Sequence, residues 1–282
     1  MPSEPITSAS NPRILAAARL RDGRQRRDTG LSLVDGQREI TRAAAAGVEI
    51  IEVFVDPAAF ATPPDWLARL GADGTRVTPA HGAAFAKVAF GDRNEGCVAV
   101  VRFTGRAPDE IALPADRPVL VVEGIEKPGN LGAILRTVDA AGLGGLIACG
   151  DGTDPANPAT IRASLGTVFS VPLATATTAA AIGWCAAHGR RVVAATPTGA
   201  ALWHAADLTG PVALLLGSEA HGIDPAWAAA AAAGRLTLDT VRLPMHGAAD
   251  SLNVAATAAV LAYEALRQET IRPRRASEDR SR

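Results

Sequence analysis

The chain has 282 residues, 48% apolar and 4% aromatic, enough for one large domain or two ordinary ones with small residues where helices meet sheet. A net charge of −1 excludes a uniformly polycationic nucleic-acid binder, and three scattered cysteines without a C-x-x-C exclude a disulfide framework or cysteine zinc site. No apolar signal core opens the chain and no run approaches the ~20 apolar residues of a membrane span, so a soluble, cytoplasmic protein is expected.

In chain order, residues 11–27 (NPRILAAARLRDGRQRR) predict a basic helix carrying Arg13, Arg19, Arg21, Arg24, Arg26 and Arg27. Such a cluster suits polyphosphate, and equally suits a solvated helix. A strand (LSLVDG), a helix (QREITRAAAAG, closed by Gly47) and a second strand (EIIEVFVD) follow. Beyond DWLARL come the short strand TRVTP, the helix AHGAAFAKVAF and the alternating strand GCVAVVRF. Residues 1–105 thus read as a small α/β domain. The proline- and charge-rich stretch GRAPDEIALPADRP reads as a linker over residues 106–117.

Residues 118–270 alternate again. VLVVEGI, GLIACG, TVFSVPL, RRVVAATP and PVALLLGS predict buried strands, separated by helices at LGAILRTVDAAG, TTAAAIGWCAAHG and DPAWAAAAAAG. Asp224 and Pro225 start the last of these and Gly234 stops it. Short apolar strands between helices predict a mainly parallel sheet covered on both faces. Residues 271–282 carry Arg272, Arg274, Arg275, Arg280 and Arg282 and read as a charged disordered tail.

Ligands of such sheets bind at the carboxyl ends of the strands. Three loops belong to that edge: EKPGN after VLVVEGI, GSEAHGI after PVALLL, and LPMHGAADSLN before the final helix. Their glycines and small polar residues let backbone approach a ligand. Behind the first loop, Leu131, Ile134, Leu135 and Val138 form an apolar stripe, and Arg136 is expected to lean back over Gly132 towards EKPGN. The alternative is a solvated helix arginine. The final helix is expected to carry Leu252, Ala255, Ala259, Tyr263 and Leu266 on one stripe, with Ser251 or Asp250 as its cap and Asn253 in its first turn. Glu219, directly after a strand, suits capping, loop anchoring or substrate chemistry alike.

Together these loops resemble the SpoU/TrmH branch of the SPOUT methyltransferases. The motif N-x-G-x-x-x-R stands as Asn130, Gly132 and Arg136; G-x-E-x-x-G as Gly217, Glu219 and Gly222; and S-x-N as Ser251 and Asn253. Asp250 departs from the glutamate that often precedes the third motif. The front half is similar to the family's substrate-binding domain, with Asp35 where a glutamate is usual. Arg162, in NPATIRASLGTVFSVPL, matches a second substrate-side arginine.

The resemblance implies an α/β fold: a small N-terminal RNA-binding domain and a C-terminal parallel-sheet domain with a deep trefoil knot, paired in a homodimer through the knot. It implies an enzyme that transfers a methyl group from S-adenosylmethionine to a ribose 2′-hydroxyl of RNA without a metal. Implied catalytic residues are Arg136, Asn130, Glu219, Ser251 and Asn253. Gly217, Ile223, Leu243, Met245 and Leu252 would hold the cofactor, and Arg162, Arg13, Arg24 and Arg26 would contact RNA. A guanidinium with pKa above ~12 is a poor base, so Arg136 is expected to bind phosphate and steady charge on the 2′-oxygen. The front domain favours ribosomal RNA of the 23S type over transfer RNA. A non-catalytic RNA-binding or assembly factor is the alternative, and a dinucleotide enzyme is disfavoured by the missing glycine fingerprint.

Overall fold

The computed structural model describes residues 4–90, 95–218 and 220–271, and two sheets organise them. Asn11 accepts the Arg13 backbone N–H at 2.9 Å and Pro12 takes the first helical position, which starts α1 (Pro12–Arg19). The basic segment expected as one helix breaks here. Asp22 accepts the Gln25 N–H at 3.1 Å and so caps a separate α2 (Gly23–Thr29). Next come β1 (Leu31–Asp35), α3 (Gln37–Ala45), β2 (Ile50–Val55), α4 (Asp65–Ala72), β3 (Arg76–Pro79), α5 (Ala83–Val88) and β4 (Cys97–Arg102). Their four strands run in the order β1-β4-β2-β3, antiparallel except for β2 beside β3.

The second unit comprises β5 (Val119–Glu123), α6 (Pro128–Ala141), β6 (Leu146–Cys149), α7 (Pro158–Ala163), β7 (Leu173–Ala176) and α8 (Thr178–Ala187). It continues with β8 (Arg191–Ala195), β9 (Ala201–Leu202), β10 (Val212–Leu216), α9 (Pro225–Ala232), β11 (Leu238–Arg242) and α10 (Val254–Ile271). The seven strands are all parallel, in the order β7-β6-β5-β10-β8-β11-β9. Period-2 alternation explains why β5 and β10 read as unbroken apolar runs. Leu120, Val122, Leu214 and Leu216 join the core under α6 and α10. Val119, Val121, Ala213 and Leu215 join the core under α8 and α9.

Four local expectations are corrected. Residues 167–173 are not a strand: Thr167–Phe169 form a 3-10 turn after the left-handed pair Leu165 (φ 56°) and Gly166 (φ 82°), and the strand follows Pro172. The short strands β9 and β11 were not legible, being polar or only two residues long. The final helix buries Val254, Ala258, Leu261, Ala262 and Ala265, while Leu252 and Tyr263 are exposed at 41% and 51%. Its cap is Asn253, which accepts the Ala255 N–H at 2.9 Å, rather than Ser251 or Asp250.

The stretch expected as a linker lies along edge strand β7. Thr175 N–H donates to the Arg106 carbonyl at 2.8 Å, and buried Arg190 donates to the carbonyls of Arg117 and Pro114. This covers an edge that would otherwise invite another strand. Burial pushes the thiols of Cys97 and Cys185 up to about 12 and that of Cys149 higher still, so all three behave as small apolar residues.

The two units share one apolar core, which runs from Val34 and Val53 to Leu131 and Leu135. Polar contacts cross the same boundary: Arg26 Nε to Asp154 Oδ2 at 2.9 Å, Arg162 Nη1 to Asp35 Oδ2 at 3.3 Å, and Ser32 Oγ to the Ala156 carbonyl. Burial raises Asp35 from 3.8 to about 6, against the opposing Phe90 N–H and Arg162. The protonated form is therefore the stabilising one. Its contribution is complete below 3.8 and is lost as pH rises through about 6. Urea midpoints are expected to fall across that window relative to those of Asp35→Asn, whose amide cannot ionise. Parallel midpoint curves for the two proteins would refute this.

Candidate functional site

Strand register places the loops on one edge. Val122 of β5 pairs with Leu216 of β10, Leu216 with Ala195 of β8, and Ala195 with Val241 of β11. The residues after them therefore leave the sheet side by side: Glu123–Gly124, Gly217–Ser218, Thr196–Pro197 and Leu243. Buried Glu123 anchors this edge, accepting from Thr178 Oγ1 at 2.6 Å and from the Asp224 N–H at 2.8 Å.

The second loop closes on itself. Ser218 and Gly222 exchange both backbone hydrogen bonds at 3.0 Å, and Ser218 Oγ accepts the His221 N–H at 2.9 Å. A Cβ on Gly217 would fall 2.2 Å from the Gly222 carbonyl carbon, so only glycine permits this fold-back. Around it lies a cavity of about 350 Å³, whose lining includes Gly217, Ile223, Leu243, Met245 and Leu252. All five residues expected at the cofactor thus meet in one cleft, together with Asp250 and Ser251. A fourth wall, Ala195–Thr196–Pro197, was missed. Its signal was available, since TPTG after a buried strand is another glycine- and proline-bearing loop at the same edge. Loop 196–200 also grips the returning β11: Thr196 N–H donates to the Val241 carbonyl at 2.9 Å, and Arg242 Nη1 to the Gly199 carbonyl at 2.6 Å.

Beside the cleft, Asn253 Nδ2 donates to Asn130 Oδ1 at 3.1 Å, joining the first and third motifs across 123 residues of sequence. A smaller cavity of about 260 Å³ lies under this pair, lined by residues including Ile125, Lys127 and Asn130. Ser218 and Val254 line both cavities. Polar side chains therefore bracket a space directly adjoining a mainly apolar cleft. Glu219 lies outside the described residues, as does the arginine-rich tail from residue 272 onward.

Arg136 is exposed on α6, and among the described residues its guanidinium has no ion-pair partner. The path expected over Gly132 does not exist. Gly132 is buried against α7, where a Cβ would come within 2.4 Å of Ala163 Cβ, so the glycine serves close helix packing. Asn130 and Arg136 stand about 120° apart around the helix. Arg136 accordingly does not line the cleft or the cavity beneath Asn130.

The four arginines expected at RNA have different surroundings. Arg13 binds buried Glu52 and donates to Thr78 Oγ1 at 2.6 Å. Arg26 is 4% exposed and also donates to the carbonyls of Leu20 and Arg21. Arg162 pairs with Asp35 and the Phe90 carbonyl. Arg24 is open to solvent, 3.7 Å from Asp28. Among the described residues, no group of His, Cys, Asp and Glu is placed to hold a metal ion.

Comparison with known proteins adds to this geometry. Residues 117–263 match the SpoU rRNA Methylase family, and residues 11–99 match the MRM3-like substrate binding domain. The chain is 32% identical over 218 residues to a 23S rRNA (guanosine-2'-O-)-methyltransferase RlmB of Ralstonia nicotianae, covering 74% of this chain and 84% of that one. It superposes on an AdoMet-bound rRNA methyltransferase from Sinorhizobium meliloti with TM-score 0.81 at 28% identity, covering 94% and 97% of the two chains. The SpoU methyltransferase AviRb of Streptomyces viridochromogenes, in complex with AdoMet, gives TM-score 0.80 at 28% identity over 93% and 99%.

Proposed function

This chain belongs to the SpoU rRNA methylase family, and from that premise we propose that it methylates a ribose 2′-hydroxyl of 23S-type ribosomal RNA, using S-adenosylmethionine. One observation carries the reading: the cofactor-sized cleft at Gly217 adjoins the hydrogen-bonded pair Asn130–Asn253. Its volume of about 350 Å³ lies within the ~300–1,000 Å³ of small-molecule sites, and its walls suit the group. Leu243, Met245, Leu252 and Ile223 offer apolar faces to an adenine, while Gly217 brings bare backbone close.

When bound, S-adenosylmethionine supplies an electrophilic methyl group on a good leaving group. The protein's own tasks are then alignment of the attacking oxygen and care of its proton. Asn130, held by Asn253, orients the ribose, and Ser251 lines the approach. Arg136 binds the neighbouring phosphate and steadies the charge that grows on the 2′-oxygen. The proton passes to a phosphate oxygen or water. Glu219 organises the second loop. The deep knot follows from family membership, and the grip of loop 196–200 on β11 supports it.

Since Arg136 is exposed and lines neither its own cleft nor the adjoining cavity, it acts in the cleft of a second copy. The exposed apolar side chains Tyr263 and Ile271 on α10 support a homodimer through this region. The 28.9 kDa chain is expected to sediment at twice its mass, and Tyr263→Arg to shift it towards monomer. Monomeric wild-type protein would contradict the shared site. The activity itself is tested by mapping alkali-resistant 2′-O-methyl positions in ribosomal and transfer RNA with and without the gene. Calorimetry against S-adenosylmethionine accompanies it, and no binding at millimolar ligand would sink the reading.

A further inference from the structure

The segment after β6 touches both the N-terminal unit and the loop that carries Asn130. At its far end, Asp154 Oδ2 receives Arg26 Nε at 2.9 Å, while Asp154 Oδ1 accepts the Ala156 N–H at 2.8 Å. Arg26 is buried and holds the junction between α1 and α2 through the Leu20 and Arg21 carbonyls at 3.0 and 2.9 Å. At the near end, Thr153 N–H donates to the Ile125 carbonyl at 2.6 Å and Thr153 Oγ1 donates to the Glu126 carbonyl. Gly152 lies so close to this backbone that a Cβ would stand 3.0 Å from both Ile125 N and Ile125 O. The same backbone also packs against the second motif loop, since a Cβ on Gly124 would meet Ser218 Cβ at 3.3 Å and the Asp151 carbonyl oxygen at 3.6 Å.

Residues 124–126 thus pack against both segment 151–153 and Ser218. Ile125 lines both the space between the two units, about 380 Å³, and the space beneath Asn130, about 260 Å³. The carbonyls that Thr153 holds precede Asn130 by only a few residues, and the next turn of chain is already helix α6. A shift of Asp154 therefore has few flexible bonds in which to dissipate before it reaches the ribose side.

We propose that segment 150–154 is a strut transmitting the seating of the N-terminal unit to the loop that carries Asn130, with Thr153 as its positioning residue. The proposal rests on the methyl-transfer reading of that loop. Seating of the N-terminal unit fixes Arg26, Arg26 fixes Asp154, and Thr153 then holds the Ile125 and Glu126 carbonyls in the register that sets Asn130 against Asn253. Rate of transfer, rather than cofactor affinity, depends on this chain of contacts, because none of residues 124–126 or 150–154 lines the cofactor cleft.

The test uses full-length protein with Thr153→Val, Thr153→Ser and Asp154→Asn. Valine removes the donor hydroxyl, serine restores it, and asparagine keeps an acceptor for Arg26 without the charge. Amide hydrogen exchange over residues 124–131 is expected to quicken about fivefold in Thr153→Val and in Asp154→Asn, the equivalent of one net hydrogen bond, and to stay at the wild-type rate in Thr153→Ser. With in vitro transcribed 23S ribosomal RNA, single-turnover transfer is expected to fall about tenfold in the same two variants, from misplacement alone, with S-adenosylmethionine Kd unchanged. Wild-type exchange at 124–131 in Asp154→Asn overturns the coupling, and wild-type exchange in Thr153→Val overturns the role of Thr153. If the unsubstituted protein binds no S-adenosylmethionine yet the exchange pattern holds, the methylase reading fails and the strut stands.

Discussion

Arg136→Ala is expected to lower kcat/KM on ribosomal RNA about 10³-fold, or about 4 kcal/mol of transition-state stabilisation, while S-adenosylmethionine binds as before. The size follows from the role. A guanidinium aimed at charge developing on the 2′-oxygen acts chiefly in the transition state, whereas the cleft around Gly217 is built without it. Arg136→Lys separates the chemical roles. Retained activity with a pH profile moved to lower values would make residue 136 the base; a uniform loss with an unmoved profile marks positioning. Subunit mixing separates the geometric ones. Arg136→Ala chains combined with Gly217→Ala chains recover activity if the arginine serves its partner's cleft. If it serves its own, every site in the mixed dimers lacks one part and no activity returns.

Gly217→Ala is expected to weaken S-adenosylmethionine binding at least about 100-fold, the effect of distorting a preformed pocket rather than trimming a contact. The added methyl would stand 2.2 Å from the Gly222 carbonyl carbon and oxygen and 2.6 Å from Ile223 N, all of them backbone. Nothing flexible can yield, so the 218–222 fold-back opens and carries Ile223 away from the cleft. Overpacking of this kind also lowers stability by about 1–3 kcal/mol. Calorimetry with S-adenosylmethionine checks the first effect and a thermal melt the second. An alanine variant with wild-type affinity would show that the fold-back does not shape the cofactor site. Gly217→Ala and Arg136→Ala should differ in kind, one losing affinity and the other rate.

Much of this site was legible from residue order. Two of the three loops follow the buried apolar strands β5 and β10, and parallel strands present their carboxyl ends together, whereas the third follows the half-buried β11, which was not legible. The five cofactor-side residues met in a single cleft for that reason. Less legible was anything that depends on which way a side chain turns. Gly132 looked like space for Arg136 until α7 filled it, and Tyr263, on the apolar stripe of α10, proved exposed. Both errors have one cause: a helix rich in alanine and glycine has little apolar contrast, so its buried face is chosen by its neighbours.

The arginines show the boundary most clearly. Arg13, Arg24 and Arg26 are alike in sequence, spaced along one basic segment. Only Arg24 is fully presented to solvent; Arg13 is tied to Glu52, 39 residues away, and Arg26 to Asp154, 128 residues away. Local sequence by itself determined most of the strands, the parallel sheet and the glycine-rich loops at its edge, because period, capping and glycine placement act over a few residues. Tertiary structure alone decided which cations are open to solvent and what braces the loop before Asn130. Those outcomes turn on carboxylates and carbonyls brought together by strand order across long stretches of chain, and an ion pair or hydrogen bond forms with whatever the fold delivers within about 3 Å.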